Sequence, residues 1–535
     1  MKKALKIIPM IPVAIILAMF TMISVYAIND RKIDYDVSTE GIDIPKFQEV
    51  EIDFIQEHNA AKSLPFAAGA IIDIDNDGTE ELFLGGGYNQ QDALFRFKES
   101  TFSAITSQTS LTKNSNDATL GSTVIDVDHN GFSDLLIVRE SGVWLYKNSN
   151  GQFTGEKLNL PLRDDTTPLS VAVADINRDG HFDMYVSGYI RLDLVEGQNI
   201  FNKEGYGGTS AMLLNNGDDS FTDITESSGL YYKHNTFQGV FADFDNDGLE
   251  DLVVAHDTGQ IRTWKNIGNN QFINMPNPNS EQNSYPMGIA VGDYNNDGLI
   301  DLFFSNVGST APNFLVLGDL REDQVFNPKW IMFENRGDFK FEDVADKTRL
   351  ADYEFAWGAI FEDFNLDGRE DLVVSENYID CPPHKVPFLR LPGRFMLQNQ
   401  HGEFAEMGEQ AGVENMFYGI SPLSADFNHD GYPDLVHVNL AAKPKAFISK
   451  GGNSHYVKVK LPDTVESIGA MVTVTTDDGK TLKRPFISGE GLCSDQSHIL
   501  SFGLKNQKAM KIDVHYLNGN NESQSGSFDN TMVRF

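Results

Sequence analysis

Carboxylate and amide side chains recur in this chain at a spacing that can hold a hard metal ion. Seven segments follow the pattern Asp-x-(Asp/Asn)-x-(Asp/Asn)-Gly-x-x-(Asp/Glu). We number them loop 1 to loop 7 and their residues positions 1 to 9. Side-chain oxygens at positions 1, 3, 5 and 9, with the carbonyl of position 7, can surround Ca²⁺, which takes about 6–8 oxygen ligands. Glycine at position 6 permits the positive φ of a tight turn.

The candidate calcium ligands are four side chains in each loop. They are Asp73, Asp75, Asp77 and Glu81 in loop 1; Asp126, Asp128, Asn130 and Asp134 in loop 2; Asp175, Asn177, Asp179 and Asp183 in loop 3; Asp243, Asp245, Asp247 and Asp251 in loop 4; Asp293, Asn295, Asp297 and Asp301 in loop 5; Asp363, Asn365, Asp367 and Asp371 in loop 6; and Asp426, Asn428, Asp430 and Asp434 in loop 7. These sets predict about seven Ca²⁺ ions per chain. Loops 1 and 4, with four carboxyl groups each, are expected to bind most tightly.

Two other interpretations of the loops were weighed. An EF-hand needs a glutamate at position 12 and flanking helices, whereas position 12 is Leu84, Ile137, Val186, Val254, Phe304, Val374 or His437. A metal-free Asx-turn hairpin fits a single copy, because Asp, Asn and Gly favour turns. Seven copies that each gather three or four carboxyl groups would repel themselves without a cation, which favours calcium.

Short apolar segments flank the loops and predict strands on both sides. Residues 239–242 precede loop 4 and residues 252–255 follow it. A third segment often ends in Asn and Gly, as in residues 212–217, and a fourth opens on Phe, as in residues 221–223. Asn-Gly turns between apolar segments indicate hairpins. Each unit of about 50 residues is therefore a four-stranded antiparallel blade of a β-propeller.

These loops resemble the FG-GAP/VCBS repeats of integrin-type propellers, and their pairing with an Asn-Gly hairpin resembles the cartilage acidic protein family. Near the C-terminus, residues 467–470, 489–491 and 501–504, together with Ser494, resemble the ASPIC/UnbV domain. The resemblance implies calcium binding and an extracytoplasmic or cell-surface setting, but no reaction. The sequence departs from that domain at Leu492 and Asp495, which predicts a changed surface there.

The predicted fold is all-β, a seven-bladed β-propeller with integrin-like calcium loops followed by a small β domain. The propeller is expected over residues 44–451 and the small domain over residues 453–535. Blade seven lacks its fourth strand, and residues 47–52 are expected to supply it from the other end of the chain. A ring closed in this way has no exposed sheet edge.

The N-terminus predicts export. Lys2, Lys3 and Lys6 precede an uncharged apolar stretch, residues 7–27, that ends in Val-Tyr-Ala. This stretch is either a cleaved signal peptide or an uncleaved membrane anchor, and residues 28–43 form a linker. Both alternatives predict a periplasmic, cell-surface or secreted protein. The membrane is a partner only through that anchor.

Charge narrows the choice of partners. The chain has 77 acidic and 42 basic residues, a formal net charge of −35, which disfavours nucleic acid and anionic lipid. We therefore expect a calcium-binding scaffold for an extracellular protein or glycan. The alternative is a calcium-dependent polysaccharide lyase or hydrolase that uses the propeller face. No residue is assigned a catalytic role.

Three insertions lengthen the repeat at residues 187–210, 305–330 and 376–394. Long loops on a rigid scaffold often carry binding sites. The third insertion holds a basic cluster that either binds an anionic ligand or is solvated: Cys381, His384, Lys385, Arg390 and Arg394. Cys381 and Cys493, the two cysteines, form either one disulfide or two separate thiols.

Overall fold

The structure is built almost entirely from β-strands. This computed structural model describes residues 36–195, 205–218, 220–309, 320–377 and 390–535. Strands make up 43% of the chain and helices 4%, which confirms the all-β prediction. Within the described ranges, no helix has the length and apolar character needed to cross a membrane. The predicted export segment, residues 1–27, lies outside these ranges, as do Cys381, His384 and Lys385.

The first strand, β1 (Phe47–Glu51), is followed by antiparallel sheets that each contain one loop. Blade one consists of β2 (Gly69–Ile72), β3 (Glu81–Leu84), β4 (Ala93–Lys98) and β5 (Thr101–Ala104). Blade two consists of β6 (Thr119–Ile125), β7 (Asp134–Arg139), β8 (Gly142–Ser149) and β9 (Gln152–Lys157). Blade three consists of β10 (Thr166–Ala174), β11 (Asp183–Ile190), β12 (Ala211–Asn215) and β13 (Phe221–Asp223).

The remaining blades repeat this order. Blade four consists of β14 (Thr236–Ala242), β15 (Asp251–His256), β16 (Arg262–Asn266) and β17 (Phe272–Met275), and blade five of β18 (Ile289–Gly292), β19 (Asp301–Phe304), β20 (Ile331–Asn335) and β21 (Phe341–Asp343). Blade six consists of β22 (Ala356–Glu362), β23 (Asp371–Glu376), β24 (Arg394–Gln398) and β25 (Phe404–Glu406), and blade seven of β26 (Gly419–Ala425), β27 (Asp434–Asn439) and β28 (Lys445–Ser449) with β1. Single helical turns, α1 (Ala345–Thr348) and α2 (Gly408–Ala411), follow β21 and β25.

All seven loops lie on one side of the ring. In every blade the first strand runs into the loop and the second strand leaves it. We call this side the loop face and the other side the opposite face. The first strands are buried on both faces, as β14 is along all of its seven residues, because they line the centre of the ring and are covered by their neighbours. Such burial explains their continuous apolar sequences.

Apolar side chains fill the space between neighbouring blades. Val240 of blade four and Phe304 of blade five belong to one buried cluster. Ile71 of blade one shares another with Leu423 of blade seven, so the first and last blades pack together. The described sheets therefore close into a ring, consistent with the seven repeats of the sequence.

The N-terminal strand completes blade seven, which confirms the predicted closure. β1 pairs antiparallel with β28, with Phe47 opposite Ser449 and Glu51 opposite Lys445. The Phe47 ring packs edge-on against Phe364 and Phe395 of blade six, at centroid distances of 6.3 and 5.7 Å. The pairing covers an edge that would otherwise present free backbone groups.

Deleting residues 29–54 should make the protein aggregate. The deletion exposes the edge of β28 and removes Phe47 from its buried cluster, and unpaired sheet edges recruit other chains. Light scattering and size-exclusion chromatography measure the result. The matched variant is a deletion of residues 29–43, which keeps β1 and should stay monomeric. A monomeric 29–54 deletion with an unchanged melting temperature would contradict the closure.

Two further sheets follow the ring. One contains β29 (His455–Lys460), β33 (Ile499–Lys505) and β36 (Thr531–Arg534); the other contains β30 (Met471–Thr476), β31 (Thr481–Pro485), β34 (Ala509–His515) and β35 (Asn521–Phe528). Their apolar faces share a core with blades two and three that includes Val459, Val472 and Val173. We call residues 453–535 the cap.

One segment of the cap, residues 488–496, enters the central channel of the ring; we call it the plug. Its short strand β32 (Ser494–Asp495) adds to β2 in parallel, while Leu492 and Cys493 are buried with the channel-lining side chains. The plug contacts the first strand of every blade, through Gly69, Val124, Leu169, Gln238, Ile289, Phe361 and Ser421. The expectation that Leu492 and Asp495 alter the surface of the small domain is wrong, because both side chains are buried in the channel.

A buried ion triad fixes the plug. The His498 ring lies 3.3 Å from Asp463 Oδ1 through Nδ1 and 3.6 Å from Asp495 Oδ2 through Nε2. Burial alone would lower the pKa of His498, but the two aspartates outweigh it and raise the pKa to about 10. The two carboxylates therefore favour the imidazolium form of His498. The sequence shows no local sign of this triad, since its members come together only in the cap.

The cap covers the loop face. Lys460 reaches loop 1, where its Nζ lies 2.7 Å from Asp73 Oδ2, and Lys458 Nζ contacts Asp426 of loop 7. The Asp126 N–H of loop 2 donates to the Asp463 carbonyl, and the Lys505 N–H donates to the Leu366 carbonyl of loop 6. Val465, Leu517 and Lys483 of the cap lie beside Gly180, Gly248 and Gly298 of loops 3, 4 and 5. All seven loops are thus held between the ring and the cap.

Candidate metal centres

The carboxylate at position 1 closes every loop. In loop 4, Asp243 Oδ1 accepts the N–H of Asp247 at 3.1 Å and Oδ2 accepts that of Gly248 at 2.8 Å. The same two bonds form at Asp73, Asp126, Asp175, Asp293, Asp363 and Asp426. The position-5 side chain accepts the N–H of position 7, as Asp247 does from Leu249 at 3.0 Å. The side chains at positions 1 and 5 are therefore fixed towards the inside of the turn.

Two residues of each loop adopt the left-handed backbone conformation. Gly248 at position 6 has φ +85°, as the sequence predicts, and Asn246 at position 4 has φ +58°. Position 4 is left-handed in every loop, including Leu366 at φ +54°. A bulky apolar residue rarely adopts this conformation, so bonds elsewhere in the loop impose it. Sequence reasoning missed position 4, because its residue type varies.

The position-9 carboxyl joins the loop to the third strand of its blade. Asp251 Oδ2 accepts the N–H of Phe244 at 3.1 Å and Oδ1 accepts that of Asn266 at 2.8 Å. The Asn266 side chain in turn bonds the Glu250 carbonyl and the Gly268 N–H. This is the physical reason for the Asn-Gly signal, which recurs at Asn148, Asn215 and Asn335. Each carboxyl oxygen has a second lone pair that a metal can use.

Burial makes these carboxyls costly to ionise. Desolvation raises the pKa of Asp134 to about 7, of Asp183 and Asp251 to about 8, and of Asp301 to about 9, with neighbouring loop carboxylates adding to the effect. Burial likewise raises the pKa of Glu81 to about 7, although its bond with Arg96 opposes the shift. A bound divalent cation would favour the charged form and reverse these shifts.

The loops fit a hard divalent cation. Carboxylate oxygens of Asp73, Asp75 and Asp77 lie within 4.8 Å of one another, and the same holds for Asp126, Asp128 and Asp134 and for Asp243, Asp245 and Asp251. Three buried oxygens at the candidate ligand positions, Asp75 Oδ1, Asp245 Oδ1 and Asp301 Oδ2, lack a hydrogen-bond partner. In loops 3, 5, 6 and 7 position 3 is asparagine, and Asn177 Nδ2 donates to Asp179 Oδ2 at 2.9 Å. A set of carboxylate and amide oxygens around unpartnered acids suits Ca²⁺.

Basic side chains that the sequence analysis did not single out also reach the loops. Arg96 contacts Asp75 and Glu81 in loop 1, and Lys265 contacts Asp245 and Asp247 in loop 4. Both come from the third strand of the same blade. Pairing of the second and third strands brings these side chains to loop residues that lie 15 or more positions earlier in the chain. A nine-residue motif therefore does not contain them.

Without calcium, the stability of the protein should fall as the pH rises from about 4 to about 9. The position-9 pKa values are raised in the folded state above the unfolded value of about 4, so the folded chain holds more protons than the unfolded chain in this window. The free energy of unfolding then decreases with pH. In EDTA we expect a melting temperature about 5 °C or more higher at pH 5 than at pH 8.

Differential scanning calorimetry in EDTA measures this slope. The Asp301→Asn variant removes one group with a raised pKa and should flatten the slope, whereas Asp338→Asn, at an exposed hairpin position, should not. Saturating calcium should abolish most of the decline. A calcium-free protein that gains stability between pH 5 and pH 8 would contradict the assignment of buried, uncompensated acids.

Comparison with protein-family models agrees with this geometry. An FG-GAP-like repeat matches residues 73–137, 126–186 and 243–304, which contain loops 1 to 5, and an ASPIC and UnbV segment matches residues 463–531. The chain therefore carries FG-GAP-like repeats on a nearly all-β fold and a C-terminal ASPIC and UnbV domain.

The curated relatives match this chain at low identity. Cartilage acidic protein 1 of Homo sapiens is 24% identical over 334 residues, which cover 59% of this chain and 48% of that protein. Cartilage acidic protein 1 of Mus musculus is 23% identical over 489 residues, 85% of this chain and 71% of that protein. The chain thus spans about half the length of the human relative. A solved lectin from Agrocybe aegerita, which recognises non-reducing terminal N-acetylglucosamine, is 16% identical and aligns with a TM-score of 0.36 over 73% of this chain and 88% of that one.

Proposed function

We propose that this protein is an exported calcium-binding scaffold that presents the opposite face of its propeller to a protein or glycan ligand. The observation that carries the proposal is the ring of seven loops, each closed around carboxyl groups, some of them left without a counter-charge. Calcium at these loops neutralises the acids and stiffens the ring beneath the cap. The resemblance to cartilage acidic protein and the apolar N-terminal stretch of the sequence support export.

The position of the cap supports the choice of face. Because the cap covers the loop face and its plug fills the channel, the large uncovered surface is the opposite face. The described parts of the insertions after the second strands lie there, and they expose apolar side chains: Leu192, Leu194 and Val195 in the first insertion and Val325 in the second, which is 60% exposed. Exposed apolar residues on loops of a rigid scaffold are typical of binding surfaces.

The third insertion contributes less than the sequence suggested. Arg394 is buried and contacts Glu354 and Glu376, so its charge is already neutralised inside blade six. Arg390 lies 5.4 Å from the centre of the Phe417 ring. The other members of the predicted basic cluster lie outside the described residues.

Calcium stoichiometry tests the proposal. After dialysis against calcium buffer, elemental analysis should give about seven Ca²⁺ per chain. Asp247→Ala should remove one ion, because it deletes two of the side-chain oxygens of loop 4, while the exposed Asp338→Ala should leave the count unchanged. Two or fewer ions per chain would refute the proposal.

A second candidate function, a calcium-dependent polysaccharide lyase or hydrolase, is favoured by one cluster on the opposite face. The Tyr232 hydroxyl lies 2.8 Å from His256 Nε2, and the Arg262 guanidinium lies 3.9 Å from the centre of the Tyr232 ring. Tyrosine, histidine and arginine together can move a proton next to an anionic sugar. Incubation with a panel of polysaccharides, scored for retention and for cleavage, separates the two functions. Retention that survives Tyr232→Phe supports the scaffold, and cleavage lost in Tyr232→Phe supports the enzyme.

A further inference from the structure

The two loops with four carboxyl groups each contain a basic side chain from the third strand of their own blade. In loop 1, Arg96 Nη2 lies 2.9 Å from Asp75 Oδ2, and Arg96 Nε contacts Glu81 Oε1. In loop 4, Lys265 Nζ lies 2.9 Å from Asp247 Oδ2 and also contacts Asp245 Oδ2. The Asp245 side chain is 9% exposed and that of Lys265 23%, so this ion pair is largely shielded from water.

Arg96 and Lys265 occupy one register position. In blade one, Leu82 of the second strand pairs with Phe95, and Arg96 is the next residue. In blade four, Leu252 pairs with Trp264, and Lys265 is the next residue. In blade two, Leu135 pairs with Tyr146, and the next residue is Lys147, which lines a cavity together with Asp128. The third strands of blades one, two and four therefore bring a cation to the same point beside their loops.

The residue at this register position varies with position 3 of the loop. Loops 1, 2 and 4 have a carboxylate at position 3, namely Asp75, Asp128 and Asp245, and their third strands supply Arg96, Lys147 and Lys265. Loops 3, 5, 6 and 7 have an asparagine at position 3, and the register position holds Leu214, Glu334, Leu397 and Ile448. No basic residue occurs there opposite an asparagine. The carboxylate at position 3 and the cation at this register position of the third strand are thus present or absent together.

Charge explains this pairing. A position-3 aspartate adds a carboxylate to a loop that already holds three acids or two acids and an amide. A nearby ammonium or guanidinium group offsets the repulsion when no metal is bound. The same positive charge repels an incoming Ca²⁺ at short range.

We propose that Arg96, Lys147 and Lys265 are internal counter-ions that stabilise the calcium-free loops and lower their calcium affinity. The inference rests on the proposed calcium function and concerns its regulation. It reverses the ranking expected from counting carboxyl groups. Loop 3, with Asn177 and Leu214, binds Ca²⁺ more tightly than loop 4, although loop 4 has one more carboxyl group. Loops 3 and 4 then fill at different calcium concentrations.

Hydrogen exchange measured by mass spectrometry tests the proposal on the full chain, because it follows each loop separately. Peptides that contain residues 243–251 and 175–183 report on loops 4 and 3 across a series of buffered free-calcium concentrations. The wild-type loop 3 should gain protection at lower calcium than loop 4. Lys265→Leu should shift the loop 4 midpoint to a free-calcium concentration about tenfold lower, because a like charge near the ion is removed, and should leave the loop 3 midpoint unchanged.

The calcium-free protein supplies the second readout. In EDTA, Lys265→Leu should increase exchange in residues 243–251 and lower the melting temperature, although the same change strengthens calcium binding. If Lys265 were purely structural, its substitution would lower both the stability of the calcium-free protein and the calcium affinity of loop 4. Asp245→Asn combined with Lys265→Leu copies the residues of loop 3 and should restore the wild-type protection in EDTA.

Leu214→Lys is the reciprocal variant and decides the matter even if Lys265→Leu does not fold. It should raise the loop 3 midpoint about tenfold, because it places a cation beside a loop with asparagine at position 3. If calcium protects the loops but neither substitution moves a midpoint in the stated direction, the counter-ion proposal is overturned while calcium binding stands. If calcium protects no loop in the wild type, the proposed function fails with it.

Discussion

Removing calcium with EDTA should lower the melting temperature by more than about 15 °C. Binding to the folded state alone stabilises by RT ln(1 + [L]/Kd), about 2.7 kcal/mol per site at a hundredfold excess over Kd. Several such sites together exceed the 5–15 kcal/mol that typically stabilises a domain. Without the ions, the formal charge of −35 and the repulsion inside each loop also act against the compact state.

Scanning calorimetry and limited proteolysis in calcium and in EDTA measure this effect. Cleavage in EDTA should concentrate in the loops, and added calcium should restore both melting temperature and resistance. Mg²⁺ at the same concentration is the control, since its rigid octahedral geometry suits these loops less well. If elemental analysis confirms loss of the metal and melting shifts by only a degree or two, the loops are ordinary turns and the calcium proposal is wrong.

Removal of the cap, by ending the chain at Lys450, should yield an aggregated protein. The deletion withdraws Leu492 and Cys493 from the channel and uncovers the apolar surface of blades two and three that packs on the cap. It also uncovers the loop face and removes cap contacts to loops 1, 2, 6 and 7. Newly exposed apolar surface of this extent promotes association, so the truncated chain should be insoluble at 25 °C with calcium present.

A point substitution tests the same contact without removing the cap. Leu492→Ala should lower the free energy of unfolding by about 2–5 kcal/mol, the usual cost of such a cavity in a core. Met510→Ala, at a 42% exposed position of the cap, should change it by less than about 0.5 kcal/mol. The ring and cap should melt in a single transition. A soluble monomer ending at Lys450 with the melting temperature of the full chain would show that the ring does not depend on the plug.

The fold could be predicted to the level of strand order because its signals are local. Each blade is indicated by a nine-residue loop between two apolar strands and by an Asn-Gly hairpin. These signals lie within about 50 residues of one another. The closure of blade seven could also be predicted from the sequence. The blade has no fourth strand after Ser449, and the segment that begins at Phe47 supplies an additional strand before blade one. Turn chemistry and strand period are properties of short segments.

The plug could not be predicted from the sequence, because its contacts are with residues far away in the chain. Residues 488–496 contact strands that lie 71 to 425 residues earlier, as when Gln238 Nε2 donates to the Gly489 carbonyl. Nothing in the local composition of Leu492 or Asp495 distinguishes a channel from a surface. The sequence shows that these two residues depart from the ASPIC/UnbV pattern, but it does not show that they lie in the channel of the ring.

The sequence by itself determined the number of loops, the acid and amide residues at positions 1, 3, 5 and 9, and the glycine that turns each loop. All of these are set by residues within one turn of chain. The tertiary structure alone decided what surrounds each loop: the basic side chains of Arg96 and Lys265 from the third strand, the cap lysines Lys458 and Lys460, and the closed channel. Those contacts exist only when the ring has formed, because distant strands must first be brought together before their charges can meet.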